Sequence, residues 1–228
     1  MHKTFAGLQS VGGTEMALCF YYGAGSPYAW RVWLALEHKH LRYELKALSF
    51  DAGDLKKPEY TAINPRQKVP AIVDDGLALY ESAAILEYLD ERYDETPLLF
   101  PGDIRQRALI RRMVREADQY LANALEELVA NVLYTPKAEW QQETIARSRD
   151  AFTRELGLWE TMIADDSLAG ELSAADFTLY PLIALALRIE KRKPDVEIGA
   201  RIGPRLAAWM KRVEALPYFA RTWPAHWT

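Results

Sequence analysis

Two stretches of the chain place polar groups where an anion could be held. The first is Gly23-Ala24-Gly25-Ser26-Pro27, directly after the apolar residues 17–22. Serine is a preferred helix N-cap and proline is favoured at the first helical position. The pattern predicts a strand that delivers Ser26 to the start of a helix, and strand ends in open α/β sheets present ligands. The second stretch is residues 64–93, NPRQKVPAIVDDGLALYESAAILEYLDERY. Val69 precedes Pro70, so it is held extended and can offer its backbone N–H and C=O to another extended chain. X-Pro bonds are where cis peptides occur. Asp74-Asp75-Gly76 is a hairpin signal, since glycine tolerates positive φ. Glu81-Ser82 then opens a helix with Ala84, Ile85, Tyr88 and Leu89 at helical spacing. Ser82 would sit among unpaired N–H groups at the positive end of a helix dipole, which suits a carboxylate.

Each device alone has an ordinary explanation: a plain N-cap, an edge proline, a strand–turn–strand–helix unit. The ordered set, VPA then ES before an amphipathic helix, is far more specific. The elements needed to position it are legible. Strand signals at residues 18–22 and 42–48 flank a helix running from Ser26 to about His40. That spacing allows a parallel crossover. With the hairpin and helix of residues 64–93, the order is βαβ then ββα.

Beyond Thr96 the texture changes. Pro97, Pro101 and Gly102 mark a linker, and Asp103 is an N-cap for a long amphipathic helix to about Val132. A second helix covers about 138–163. Ser173-Ala174-Ala175-Asp176 reads as a capping box. Residues 177–189 are almost wholly apolar, the mark of a helix buried on all sides. Residues 204–216 form another helix, and Trp223 and Trp227 in the tail read as packed cover. The organisation is a flexible extension at 1–15, an α/β domain at 16–95 and an all-helical domain at 103–228. The fold class is α/β plus all-α.

The 228 residues carry a net charge of -4, and half are hydrophobic. There is no electrostatic case for nucleic acid or an anionic membrane surface. No apolar run reaches the roughly 18–20 residues of a membrane span. The start lacks the apolar core of a secretory signal, so a cytoplasmic location is expected. One cysteine, Cys19, excludes an internal disulfide and reads as a structural thiol in a buried strand. His38 and His40 are not on one helical face, so a metal site is not expected; cations near a helix C-terminus account for them.

The VPA and ES motifs, with the first strand and helix, resemble the glutathione-binding domain of the cytosolic glutathione transferases, which has a thioredoxin-like fold. The segment SLAGELSAADFTLYPL is similar to the buried-helix cap of that family's second domain. The resemblance covers about residues 17–220 and points to the serine-type, bacterial-like members. It implies glutathione as co-substrate, a small hydrophobic electrophile as second substrate, no metal and a homodimer. It assigns Ser26 the catalytic role, donating its O–H to the glutathione sulfur. No base is needed beside it, and none of the four histidines lies in a motif. Lys56, Lys68, Val69, Glu81 and Ser82 would hold the tripeptide. Tyr21 and Tyr22 are rivals for the donor role, and Tyr28 could line the second pocket. The family's usual glycine two before the valine is Gln67 here. Alternatives are a non-catalytic glutathione-transferase-like binding protein and a glutathione-dependent reductase or peroxidase. The sequence lacks the Cys that reductases place at the helix start, and the Ser-Ser-Cys of the isomerases.

Overall fold

The structure, a computed structural model, describes residues 18–163 and 167–227. The expected extension at 1–15 lies outside the described residues. Four strands form one sheet in the order β2-β1-β3-β4. Strand β1 (Leu18–Gly23) is followed by helix α1 (Pro27–His38) and returns as β2 (Tyr43–Leu48), parallel to β1. After a short helix, α2 (Pro58–Thr61), strands β3 (Ala71–Asp74) and β4 (Leu77–Tyr80) form an antiparallel hairpin, with β3 against β1. Asp75 and Gly76 both have positive φ, 47° and 81°, as a two-residue hairpin turn with twist-matched geometry requires. Helix α3 (Ser82–Arg92) closes this thioredoxin-like unit.

Asp103 does cap the next helix, accepting from the N–H groups of Arg105 and Gln106 at 2.9 Å each. The long helix expected from the sequence is not uniform. It runs as α4 (Ile104–Glu116), a π-helical turn (Ala117–Leu121), α5 (Ala122–Val129) and a second π turn (Ala130–Tyr134). Each π turn widens the backbone and re-aims the side chains that follow. The second is braced from outside, where Arg192 Nε donates to the Val132 carbonyl at 2.9 Å. Helix α6 (Gln142–Met162) packs on α5, and α7 (Ala174–Arg192) runs through the centre.

Helix α7 starts at the predicted capping box, with Ser173 and Asp176 bonded reciprocally. Asp176 also accepts from Trp209 Nε1 at 2.7 Å. Thirteen of its residues are buried, and Pro181 lies inside it. Helices α8 (Pro204–Glu214) and α9 (Phe219–Thr222) complete the fold. The segment at 96–102 is no loose linker, for Leu99 and Phe100 are buried. Leu99 accepts from Ala174 N at 2.8 Å, so it ties the sheet unit to α7. One hydrophobic cluster therefore runs from Phe20 and Trp30 through Leu99 to Phe177 and Trp209.

Candidate functional site

Ser26 is the N-cap of α1, in extended conformation at φ -75° and ψ 119°. Its Oγ accepts from Ala29 N at 3.2 Å. Among the described residues its O–H donates to no acceptor, and it faces a cavity of about 720 Å³. Val69 lines the same cavity, and the Val69-Pro70 bond is cis. Among the described residues the Val69 N–H and C=O have no partner in any turn, loop or cap. The loop before it is tightly held: the Lys68 carbonyl accepts from Tyr60 Oη at 2.5 Å and Asn64 Nδ2 at 2.7 Å. Gln67 takes φ +55°, the left-handed conformation in which glycine is the easy choice. The loop keeps that shape with a side chain present. Lys68 is exposed and lines the cavity.

The remaining sequence candidates stand apart from the cavity wall. Lys56 is exposed at the end of a 3₁₀ turn (Asp54–Lys56), and the neighbouring ion pair is made by Lys57 with Asp54. Glu81 is exposed and caps α3 at φ +70°. A non-glycine residue held there is strained, and such strain clusters at ligand sites. Ser82, the first residue of α3, is buried. Its Oγ accepts a short hydrogen bond from Nη2 of Arg31. The serine proton is left to point elsewhere, so the hydroxyl can still donate to an incoming carboxylate.

Arg31 was not singled out in the sequence, where it reads as one charge within an apolar helix. It is buried beneath α3. Its Nη1 pairs with Asp118 Oδ1 at 2.8 Å and lies 3.5 Å from Thr178 Oγ1. Asp118 belongs to the first π turn, so that irregularity supplies the counter-charge. Arg31 also lies over the Tyr28 ring.

Tyr21 and Tyr22 pack into the sheet's aromatic layer, against Tyr60 and Trp33. Neither lines the cavity, and burial raises both phenols above their usual range. Tyr28 does line it. Its hydroxyl donates to Glu126 at 3.1 Å, and burial, then that carboxylate, raises its pKa strongly. Across from Ser26 the wall is apolar: Leu125, Val129, Leu133, Leu182 and Leu185. The tail closes one side with His226 and Trp227, and Trp227 packs edge-on to Trp30 at 5.5 Å.

Two sequence expectations need correction. Cys19 is only half-buried, 3.6 Å from Glu44 Oε2, because alternate residues of β1 face the sheet's outer side. His38 is no cation at a helix end: it packs on Phe177 and its Nδ1 lies 3.0 Å from Tyr218 Oη. Burial depresses its pKa to about 4, so it is neutral. Among the described residues no group of three or more His, Cys, Asp or Glu could hold a metal ion. No described helix is long and apolar enough to cross a membrane.

A hydroxyl at a strand end and an open backbone edge before a cis proline thus line one cavity on the thioredoxin-like unit, facing a helical wall, with the strained cap of α3 outside it. Residues 20–97 match the family profile described as glutathione S-transferase, N-terminal domain, and residues 142–212 the corresponding C-terminal domain. A probable maleylacetoacetate isomerase 2 of Drosophila melanogaster is 31% identical over 87% of this chain and 84% of its own. The crystal structure of a glutathione S-transferase from the Antarctic clam Laternula elliptica is 29% identical. It covers 92% of this chain and 94% of its own, with a TM-score of 0.78. A glutathione transferase from Burkholderia graminis, solved with two glutathione molecules per subunit, is 25% identical. Its TM-score is 0.77, covering 90% of this chain and 87% of its own. The chain belongs to the cytosolic glutathione transferase family.

Proposed function

We propose that the protein is a serine-type glutathione transferase that activates the glutathione thiol for attack on a hydrophobic electrophile. The observation that carries this reading is the free O–H of Ser26 at the head of a cavity whose opposite wall is aliphatic. A free thiol ionises near pH 8.5. A hydroxyl donor and a helix N-terminus both favour the thiolate, the nucleophilic form. The Val69 backbone would pair with the tripeptide, as a strand edge pairs with an extended peptide. Ser82, with Glu81 beside it, would take the glutamyl carboxylate. Lys68 would meet the glycine carboxylate, with Lys56 further out. The electrophile would lie on Leu125, Val129 and Leu185. With an aryl halide, the sulfur–carbon bond forms, the carbon–halogen bond breaks and halide leaves.

The same reading includes a homodimer, a cytoplasmic location and a domain division in the segment at 96–102. Helix α4 supports the dimer, since its Ile104 and Leu109 are exposed, at 78% and 43%. The test is calorimetric titration with glutathione, then initial rates with aryl halides, epoxides, isothiocyanates and organic peroxides. Binding with glutathione-dependent turnover is the expected result. No binding would sink the reading, whereas binding without turnover on any of the panel would leave a binding protein.

A further inference from the structure

Gly25 stands immediately before Ser26, with φ +86°. A Cβ at this position would lie 3.0 Å from His226 Nε2, 3.1 Å from His226 Cε1 and 3.2 Å from Trp227 Nε1. His226 and Trp227 are thus seated directly on the loop that carries Ser26, and glycine leaves the room. The seat is anchored. Trp227 is buried, packs at right angles on Trp30 and Trp223, and its carbonyl accepts from Lys191 Nζ at 3.3 Å. His226 is held beside it with one face to solvent and one edge toward Gly25 and the cavity.

A thiol that becomes a thiolate must lose its proton to something. The Ser26 hydroxyl stabilises the anion but is not a base. Of the other ionisable groups lining the cavity, Lys68 and Arg188 are cations, Tyr28 and Tyr134 are phenols and so donors rather than bases, and Glu126 already accepts from Tyr28. His226 makes no hydrogen bond to the described residues. Of the elements packed against it, the loop at 23–26 carries no charge and α7 contributes Arg188. Burial and that guanidinium both depress the imidazole's pKa, so at neutral pH it has a free lone pair.

We infer that His226 takes the proton from the glutathione thiol and passes it to solvent. The inference rests on the glutathione reading above. With the proton of the neutral ring on Nδ1, the Nε2 lone pair bonds the thiol proton. The S–H bond breaks, its electron pair stays on sulfur, and the thiolate accepts a hydrogen bond from the Ser26 hydroxyl. The imidazolium then releases its proton from the exposed side to water or buffer, which restores the base. Arg188 speeds that release by repelling the charged ring.

The test is stopped-flow thiolate absorbance after mixing with glutathione at neutral pH in weak buffer, for wild type, His226→Gln and His226→Ala. Positioned proton transfer is worth about a hundredfold or more. We expect thiolate to appear about a hundredfold more slowly in both variants. Its final amplitude should be unchanged, because Ser26 sets that equilibrium. Added imidazole should restore the rate of His226→Ala in proportion to its concentration. S-methylglutathione, which has no thiol proton, should bind all three alike. An unchanged rate in the variants overturns the proposal. So does failure of imidazole to rescue, or a loss of S-methylglutathione binding that accounts for the slower rate. Failure of wild type to bind S-methylglutathione would remove the glutathione reading as well. Tight binding with unchanged variant rates would remove this inference alone.

Discussion

Arg31 on α1 and Ser82 on α3 are 51 residues apart in sequence and joined by a buried hydrogen bond, guanidinium to hydroxyl. The same guanidinium pairs with Asp118 in the π turn of the helical half. One cation therefore fixes Ser82 at the start of α3 relative to both halves of the fold. Among the described residues its Nε has no partner, so the charge rests on these few contacts.

Removing that cation should be expensive. Arg31→Met leaves the half-buried Asp118 and the buried Ser82 hydroxyl without their donor, and losing hydrogen bonds to a charged group in this setting costs about 1–3 kcal/mol. Arg31→Lys should recover only part, since a single ammonium lacks the planar fork that serves two elements at once. Urea unfolding of the three proteins checks this. A cost for Arg31→Met below about 1 kcal/mol, the worth of an exposed pair, would show that the bridge is not structural.

What the sequence made legible was local. The cap at Ser26, the turn at Asp75-Gly76 and the box at Ser173 and Asp176 each depend on a few adjacent residues, and all formed. Pairings between distant segments were not legible. Arg31 needed the position of α3 and of the π turn, and His226 needed the tail laid across Gly25. The π turns carry no composition signal, because their residues are ordinary helix formers. His38 was misjudged because its helix end is buried against Phe177 and Tyr218, which no neighbouring residue announces.

His38 gives the protein an acid limb of its own. Its folded pKa of about 4 lies below the model-compound value of 6.5. Between those values the unfolded chain takes up a proton that the folded chain refuses. His38 therefore stabilises the fold fully above about pH 6.5 and progressively less as pH falls toward 4. The whole loss is roughly 3 kcal/mol. The stability gap between wild type and His38→Asn should narrow by about 1–2 kcal/mol between pH 7.5 and pH 5. A gap that does not change with pH would place the ring in solvent.

The dimer proposed from the exposed apolar residues of α4 has a simple measurement. Sedimentation equilibrium at micromolar protein should give about twice the chain mass of 26.0 kDa. Ile104→Glu and Leu109→Glu together should shift it toward the monomer, since charged side chains are depleted at interface centres. A monomer mass for the wild type ends the proposal.

Ser26→Ala separates holding glutathione from activating it. The tripeptide contacts proposed for Val69, Glu81 and Ser82 do not involve the hydroxyl, so glutathione affinity should stay nearly intact. The bound thiol's pKa should rise toward its free value, because the O–H stabilises only the thiolate. Turnover near neutral pH should fall by roughly tenfold to a thousandfold, by analogy with loss of one preorganised donor to a developing anion. The deficit should shrink as pH rises and the thiol ionises unaided. Stability should drop by about 0.5–2 kcal/mol, because Ala29 N–H loses its cap. Thiolate absorbance of bound glutathione, titrated across pH in both proteins, reads the effect directly. In this titration the Ser26 variant loses amplitude at a given pH, whereas a His226 variant loses only the rate at which that amplitude is reached. Superimposable titration curves for wild type and Ser26→Ala would reduce Ser26 to a cap. The donor would then have to be sought elsewhere, and Tyr21 and Tyr22, turned into the aromatic layer, are badly placed to supply it.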